Sequence, residues 1–232
     1  MNQKTDRPIL IDFFALGCTG KTTHSKELFN YLTAKGFKVK VLSFALLSND
    51  KRTRSTESQR SPIPTSFKSI ILGCVFFKFA FKNTKTTNIF SLIKWSYRLL
   101  IYRNQIKSYN SSGLNFIILD PSLSSKLKKF YKFFDDDSFA KALSFLEKNN
   151  FLSDLAFFIE ADIDVVMKRR LARGHRTKTR NDSATFAVQK AISALKKQGT
   201  SITFASVNYN HFSSLDNNIE CIAEHCLKTL KC

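Results

Sequence analysis

Apolar and polar residues alternate in blocks along the chain, and this pattern predicts an α/β protein. Five short apolar runs have the composition of buried strands: Ile9–Phe14, Val39–Phe44, Leu114–Leu119, Leu155–Glu160 and Ile202–Val207. Between these runs, apolar residues recur at helical spacing, as in the segment from Phe139 to Leu146. Strands that alternate with helices imply a parallel sheet with helices on both faces. We therefore expect one α/β domain over residues 1–232.

The predicted helix ends carry suitable residues. A helix over residues 22–35 should end at Gly36, because glycine accepts the left-handed conformation that often follows a helix. Three acidic residues, 135–137, precede the helix that contains Phe139, and Asp162 precedes another. Because acidic side chains stabilise helix N-termini, we interpret residues 135–137 as a cap rather than a metal site.

The composition fits a folded protein with one substantial core. The chain has 232 residues, of which 43% are hydrophobic and 24% charged. It contains no uncharged apolar run of about 18 residues, so we expect no membrane span. The polar first residues do not resemble a signal peptide, and the five cysteines form no CxxC pair. These features favour a reducing compartment and predict a cytoplasmic protein.

The net charge of +19 predicts an anionic ligand or partner. No acidic residue lies between Glu57 and Asp120, although several lysines and arginines do. We expect the region of about 45–112 to face an anionic acceptor. The alternative is a lysine-rich composition in which these side chains are simply solvated at the surface.

The chemistry is carried by a glycine-rich loop between the first strand and the first helix. The segment ALGCTGKT, residues 15–22, is a Walker A sequence in the strand–loop–helix context that such a loop requires. Gly17 and Gly20 permit positive φ angles, which aim backbone N–H groups at phosphate oxygens. Lys21 is expected to contact the β- and γ-phosphates. The predicted nucleotide-binding residues are Ala15, Gly17, Cys18, Thr19, Gly20, Lys21, Thr22 and Thr23.

Asp120 follows the third predicted strand, where a Walker B carboxylate would lie beside this loop. We predict that Thr22 and Asp120 hold Mg²⁺ and that ATP is the phosphate donor. The alternative role for Asp120 is a turn at the end of the strand, since Pro121 follows. A GTPase is disfavoured because neither NKxD nor a DxxG after this strand is present.

An arginine-rich segment follows the fourth predicted strand. Arg173, Arg176 and Arg180 lie along a helix end and the polar loop beyond it. Arginines so placed can close over a triphosphate and stabilise the charge of the transferred phosphoryl group. We predict a mobile lid at about 174–182. Arg169, within the helix, could instead simply complement the helix dipole.

The sequence resembles the thymidylate kinase family, in the segments LIDFFALGCTGKTTHSKEL, NFIILD and FFIEADIDVVMKRRLARGHRTKTRNDS. The resemblance implies a P-loop NTPase-type three-layer fold with a five-stranded parallel sheet, ATP–Mg²⁺ as donor and often a homodimer. Cys18 occupies the place of an arginine that some members carry in the loop, so Arg176 and Arg180 should supply that charge. Arg98 lies at the family's distance for an acceptor-binding arginine, and we add Arg103 to the predicted acceptor site.

Three departures from the family lie on the acceptor side. Pro121 follows Asp120 where the family has arginine, no Glu-Pro follows the second strand, and Phe14 replaces an acidic residue. Right-handed crossovers predict the strand order 2-3-1-4-5.

The predicted function is ATP-dependent phosphotransfer to a nucleoside monophosphate. A phosphate acceptor needs charge clamps more than a general base, whereas a hydroxyl acceptor needs a carboxylate, for which Asp120 and Asp12 are the candidates. The alternatives are a kinase of a nucleoside or sugar, and a nucleotide-binding protein without this activity. In the last case, the alternating Phe and Lys residues at 76–82 would dock on nucleic acid or an acidic membrane.

Overall fold

The computed structural model describes residues 7–15, 18–42, 103–110, 112–120, 136–148, 152–174 and 203–231, with seven isolated positions between 71 and 97. The strands are β1 (Ile9–Phe14), β2 (Val39–Leu42), β3 (Phe116–Leu119), β4 (Leu155–Glu160) and β5 (Thr203–Asn208). The helices are α1 (Lys21–Ala34), α2 (Asp136–Lys148), α3 (Ile163–Ala172) and α4 (Leu215–Lys231). A 3₁₀ turn (Phe212–Ser214) precedes α4, and residues 103–107 are helical. No helix in these ranges is long and apolar enough to cross a membrane.

The five strands form one parallel sheet in the order β2-β3-β1-β4-β5, which confirms the predicted topology. β1 is the central strand, and its Ile11 pairs with Ile118 of β3 and Leu155 of β4. Because all strands run in the same direction, the loops that follow them emerge at one edge of the sheet. The loop after β1 and the residue after β3 therefore meet at this carboxyl edge.

Both faces of the sheet are covered, as expected for a three-layer α/β fold. Ile9, Ile11 and Phe13 are buried in a core that α1 and α4 complete. The intervening residues of β1 are also buried, so the second face of this strand is covered too. In α4, burial raises the pKa of Cys226 to about 12, so this thiol remains uncharged at neutral pH.

Several element boundaries differ from the predicted ones by one or two residues. β3 begins at Phe116 rather than at residue 114, because Asn115 forms two hydrogen bonds with Lys38 before the ladder starts. The Lys38 N–H donates to Asn115 Oδ1 at 2.9 Å, and the Asn115 N–H donates to the Lys38 carbonyl at 2.8 Å. α2 begins at Asp136, so Asp136 and Asp137 lie within its first turn rather than before it. α1 begins at Lys21, one residue earlier than predicted.

The edge of the sheet opposite the carboxyl ends is fastened by Asp154. Its carboxylate accepts two hydrogen bonds from the Arg7 guanidinium, at 2.7 and 3.1 Å, and one from the Leu10 N–H at 2.8 Å. The bidentate geometry joins the start of β1 to the start of β4. This ion pair is partly exposed, so it fixes register more than it adds stability.

Candidate functional site

The loop after β1 folds back so that its last lysine reaches its first residue. The Lys21 ammonium donates a hydrogen bond to the Ala15 carbonyl at 2.9 Å. Gly20 is the N-cap of α1, with φ 100° and ψ 15°, a conformation that favours glycine. The N-terminus of α1 therefore opens into the loop with its first N–H groups and positive dipole end, an arrangement suited to an anion.

Cys18 departs from the expectation that the glycines of this loop carry the positive φ angles. Gly20 does so, and Gly17 lies outside the described residues, but Cys18 also has φ 71°. A left-handed conformation costs a residue with a Cβ roughly 1–2 kcal/mol. Such strain persists only where the surrounding structure imposes it, and it is commonly found at functional sites. The next residue, Thr19, is buried, so the chain has little freedom to relax.

Asp120 lies beside this loop, at the place predicted for it. Its backbone N–H donates to the Leu42 carbonyl at 2.9 Å, directly after β3. Burial raises the pKa of Asp120, while a hydrogen bond from the Thr22 hydroxyl and the charge of Lys21 oppose that rise. Lys21, Thr22 and Asp120 therefore share one site. A hydroxyl and a carboxylate supply oxygen donors, which are the ligands that Mg²⁺ prefers.

Two buried side chains outside the Walker A sequence contact Gly20. Tyr209 follows β5 and is buried, and its N–H donates to the Glu160 carbonyl at 2.8 Å. A Cβ placed on Gly20 would lie 2.6 Å from Tyr209 Cε1, so the ring rests directly against the Gly20 backbone. His24 Nδ1 lies 3.0 Å from the Gly20 carbonyl, and the imidazole meets the Tyr209 ring edge-on at 4.6 Å.

The protonation state of His24 follows from its surroundings. A carbonyl oxygen only accepts hydrogen bonds, so His24 Nδ1 must carry the proton. Burial lowers the pKa of His24, the bond to Gly20 opposes this change, and the charge of Arg169 adds to the lowering. His24 is thus a neutral donor at neutral pH. The sequence prediction missed both His24 and Tyr209; the signal available was their place, one helical turn after Gly20 and directly after the last strand.

Arg169 makes specific side-chain contacts, which complementation of the helix dipole alone would not require. Its guanidinium carbon lies 4.4 Å from the centre of the Tyr209 ring, and Nη2 donates to the Asn210 carbonyl at 3.4 Å. Asp162 is the N-cap of α3, as predicted, but its side chain makes no capping hydrogen bond. The Asp162 carboxylate instead accepts a hydrogen bond from Asn210 Nδ2 at 2.7 Å, and the Asp162 backbone N–H donates to Asn210 Oδ1 at 2.7 Å. The pair joins the start of α3 to the segment after β5.

The remaining predicted site residues are only partly described. Ala15 and Thr23 are half-buried at the two ends of the loop. Arg173 is exposed at the end of α3, and Arg103 is half-buried in the helical segment 103–107, where burial lowers its pKa. The other predicted positions, which lie outside the described residues and stay predictions, are Gly17, Arg98, Arg176, Arg180, most of 45–112 and nearly all of the 174–182 lid.

Replacing Gly20 with alanine should destabilise the protein and weaken nucleotide binding. The new methyl group would overlap the Tyr209 ring and would also sit at φ 100°. We expect a loss of about 2–4 kcal/mol in the free energy of unfolding, from strain and overpacking together. Gly36→Ala is the matched control, because Gly36 has φ 85° with no atom within 4 Å of the added Cβ. Chemical denaturation of both variants would contradict the prediction if their losses were equal.

The strand order and the loop between the central strand and its helix define a P-loop fold. Solved structures with similar folds include deoxyadenosine kinase from M. mycoides with the products dCMP and a flexible dCDP bound, at TM-score 0.47 and 16% identity over 95% of this chain and 100% of that one. The structure of deoxyadenosine kinase from M. mycoides with bound dCTP has a TM-score of 0.48 and 15% identity, over 94% of this chain and 100% of that one. Thymidylate kinase from Candida albicans has a TM-score of 0.48 and 17% identity, over 96% of this chain and 92% of that one. No protein-family model and no curated protein matches the chain.

Proposed function

We propose that the protein is an ATP-dependent phosphotransferase that transfers the γ-phosphoryl group to an anionic small molecule, a nucleoside monophosphate. The observation that carries this proposal is the meeting of Lys21, Thr22 and Asp120 at the carboxyl ends of β1 and β3. This is the position at which ligands bind in open parallel α/β sheets. A cation, a hydroxyl and a carboxylate together are the groups that phosphoryl transfer from ATP requires.

Each of these groups has a role in binding the donor. The Lys21 ammonium, which contacts the Ala15 carbonyl in the described structure, would exchange this oxygen for oxygens of the β- and γ-phosphates. The N-terminus of α1 would add its N–H groups and dipole. Thr22 and Asp120 would hold Mg²⁺, which when bound neutralises phosphate charge. The hydrogen bond from the Thr22 hydroxyl to the Asp120 carboxylate already brings these two oxygen donors together.

The surroundings of the two candidate bases favour an anionic acceptor. Asp120 already accepts the Thr22 hydrogen bond and lies near the Lys21 charge, so its carboxylate interacts with the residues proposed to bind ATP rather than with an acceptor. Asp12 is only 2% exposed within β1, where an acceptor could not reach it without rearrangement. A nucleoside or sugar hydroxyl would need such a base, whereas a phosphate acceptor does not. The acid-free sequence between Glu57 and Asp120 agrees with an anionic acceptor.

A turnover screen tests this proposal. The purified protein would be incubated with ATP–Mg²⁺ and, in separate reactions, each nucleoside monophosphate, nucleoside and common sugar, with ADP release as the readout. We expect turnover with at least one monophosphate and its loss on chelation of Mg²⁺. Turnover with nucleosides or sugars alone would instead support the alternative kinase. ATP binding without turnover of any acceptor would leave a nucleotide-binding protein and contradict the proposed enzyme.

The lid arginines give a separate expectation for the chemical step. Because Cys18 offers no positive charge in the loop, we propose that Arg176 and Arg180 supply it from the lid. Arg176→Ala and Arg180→Ala should lower kcat by about 10²-fold or more while changing ATP affinity much less, since such an arginine acts mainly in the transition state. Steady-state kinetics and separate ATP titrations measure the two effects. Unchanged kcat in both variants would assign the charge to another part of the chain.

A further inference from the structure

Gly20 is held from two sides by residues that are not part of the Walker A sequence. We infer that His24 and Tyr209 are positioning residues, which fix the backbone at Gly20 and so keep the phosphate-binding loop in its binding conformation before nucleotide arrives. The inference rests on the proposed function in so far as ATP is taken as the ligand of this loop. It assigns roles to a helix residue and to a residue 189 positions after Gly20 in the sequence.

His24 binds the carbonyl oxygen of Gly20 twice. Its backbone N–H donates at 3.0 Å as the first hydrogen bond of α1, and its imidazole Nδ1 approaches the same oxygen at 3.0 Å. The second bond fixes the orientation of the peptide that joins Gly20 to Lys21, because that carbonyl belongs to this peptide. The N–H on the other side of this peptide is one of the groups at the open end of α1.

The burial of His24 indicates a role beyond filling space. The side chain is fully buried, and its Nε2 atom has no hydrogen-bond partner among the described residues. An unpaired buried polar atom is costly, and an aliphatic side chain would fill the same volume without that cost. The hydrogen bond from Nδ1 to Gly20 is the interaction that an aliphatic residue could not replace.

Tyr209 limits the movement of Gly20 from the opposite direction. Its ring occupies the space that a side chain at position 20 would fill, so Gly20 cannot shift toward it. The Tyr209 backbone is fixed by the bond from its N–H to the Glu160 carbonyl, and its ring contacts the edge of the His24 imidazole and lies beneath the Arg169 guanidinium. The position of the loop is therefore set by the ends of β4 and β5 as well as by α1.

Four variants separate positioning from simple packing. His24→Asn keeps an N–H donor two bonds from Cβ, as in Nδ1, whereas His24→Leu removes the donor and keeps apolar volume. Tyr209→Phe keeps the ring, and Tyr209→Leu removes it. His225→Leu on α4 and Tyr31→Leu on α1 are controls, since both residues are half-buried and their rings contact Phe157 and Lys35, respectively.

The measurements are ATP affinity by titration calorimetry, the thermal midpoint, and hydrogen–deuterium exchange of peptides covering residues 15–24 in the nucleotide-free protein. We expect His24→Leu and Tyr209→Leu to weaken ATP binding about tenfold, the size expected for loss of one hydrogen bond or of preorganisation. Exchange in the loop should become faster in these two variants. His24→Asn, Tyr209→Phe and both controls should stay within about threefold of the wild-type affinity.

The result that would overturn the inference is a lower thermal midpoint in the two leucine variants with wild-type ATP affinity and loop exchange. A leucine at position 24 that binds ATP better than asparagine would also overturn it, because packing alone predicts that order. If the wild-type protein bound no ATP, the proposed function would fail. Hydrogen–deuterium exchange of the loop needs no nucleotide, so this measurement would still decide whether His24 and Tyr209 position the loop.

Discussion

Lys21→Ala should abolish measurable phosphotransfer while leaving the protein folded. Lys21 is half-buried and reaches across the loop to the Ala15 carbonyl, where its ammonium faces the space that the phosphates would occupy. Removal of one such charge clamp typically costs about 10²–10³-fold in rate. We therefore expect kcat/KM to fall by at least that factor.

The matched control for this variant is Lys26→Ala, which removes an exposed lysine from the same helix. Both variants should unfold within a few degrees of the wild-type protein, and the control should keep full turnover. A Lys21→Ala protein with near wild-type turnover would contradict the proposed phosphotransferase. An unfolded variant would be replaced by Lys21→Met, which keeps most of the side-chain volume.

Asp120→Asn should change activity and stability in opposite directions. Asparagine keeps an oxygen that can accept the Thr22 hydrogen bond but loses the charge that would hold Mg²⁺, so we expect turnover to fall about 10²-fold or more. The same change should raise the thermal midpoint at neutral pH, because burial penalises the charged carboxylate in the folded protein. Activity is measured at saturating Mg²⁺, and stability in the absence of nucleotide and metal.

The stability gain should depend on pH with a defined sign. Because the pKa of Asp120 is raised in the folded state, its protonated form stabilises the fold below the ordinary carboxyl pKa of about 4, and this stabilisation is lost as pH rises through the folded pKa. Asp120→Asn should thus match the wild-type protein near pH 3–4 and exceed it progressively toward pH 7. A gain that shrinks as pH rises would contradict the assignment.

The sheet and the candidate site at its carboxyl edge could be predicted because their signals are local. Each strand is a short apolar run, and the Walker A residues are contiguous between β1 and α1, so pattern and motif were sufficient to predict both elements. Asp120 could be placed beside Thr22 because the ends of neighbouring parallel strands meet at one edge. The strand order followed from the handedness of the crossovers.

The interactions that support the loop could not be predicted, because they join residues that are distant in sequence. Nothing in the local sequence shows that Tyr209 lies against Gly20, or that the Asp162 carboxylate binds the Asn210 side chain instead of capping the helix. The positive φ of Cys18 was also missed, because a loop with two glycines needs no further left-handed residue by composition alone. These features depend on how β5 and α3 are placed around the loop.

The contact of Tyr209 with Gly20 and Arg169 also constrains how this protein can change in evolution. Tyr209 contacts both Gly20 and Arg169, so a replacement of Tyr209 alters which residues are tolerated at the other two positions. Substitutions there should be strongly non-additive, with coupling of about 0.5–3 kcal/mol, as is usual for residues in contact. A smaller residue at position 209 would leave the Arg169 guanidinium without its aromatic partner and free the space beside Gly20, where the φ of 100° would still favour glycine. Descendants of this sequence should therefore retain Gly20 and change positions 169 and 209 together.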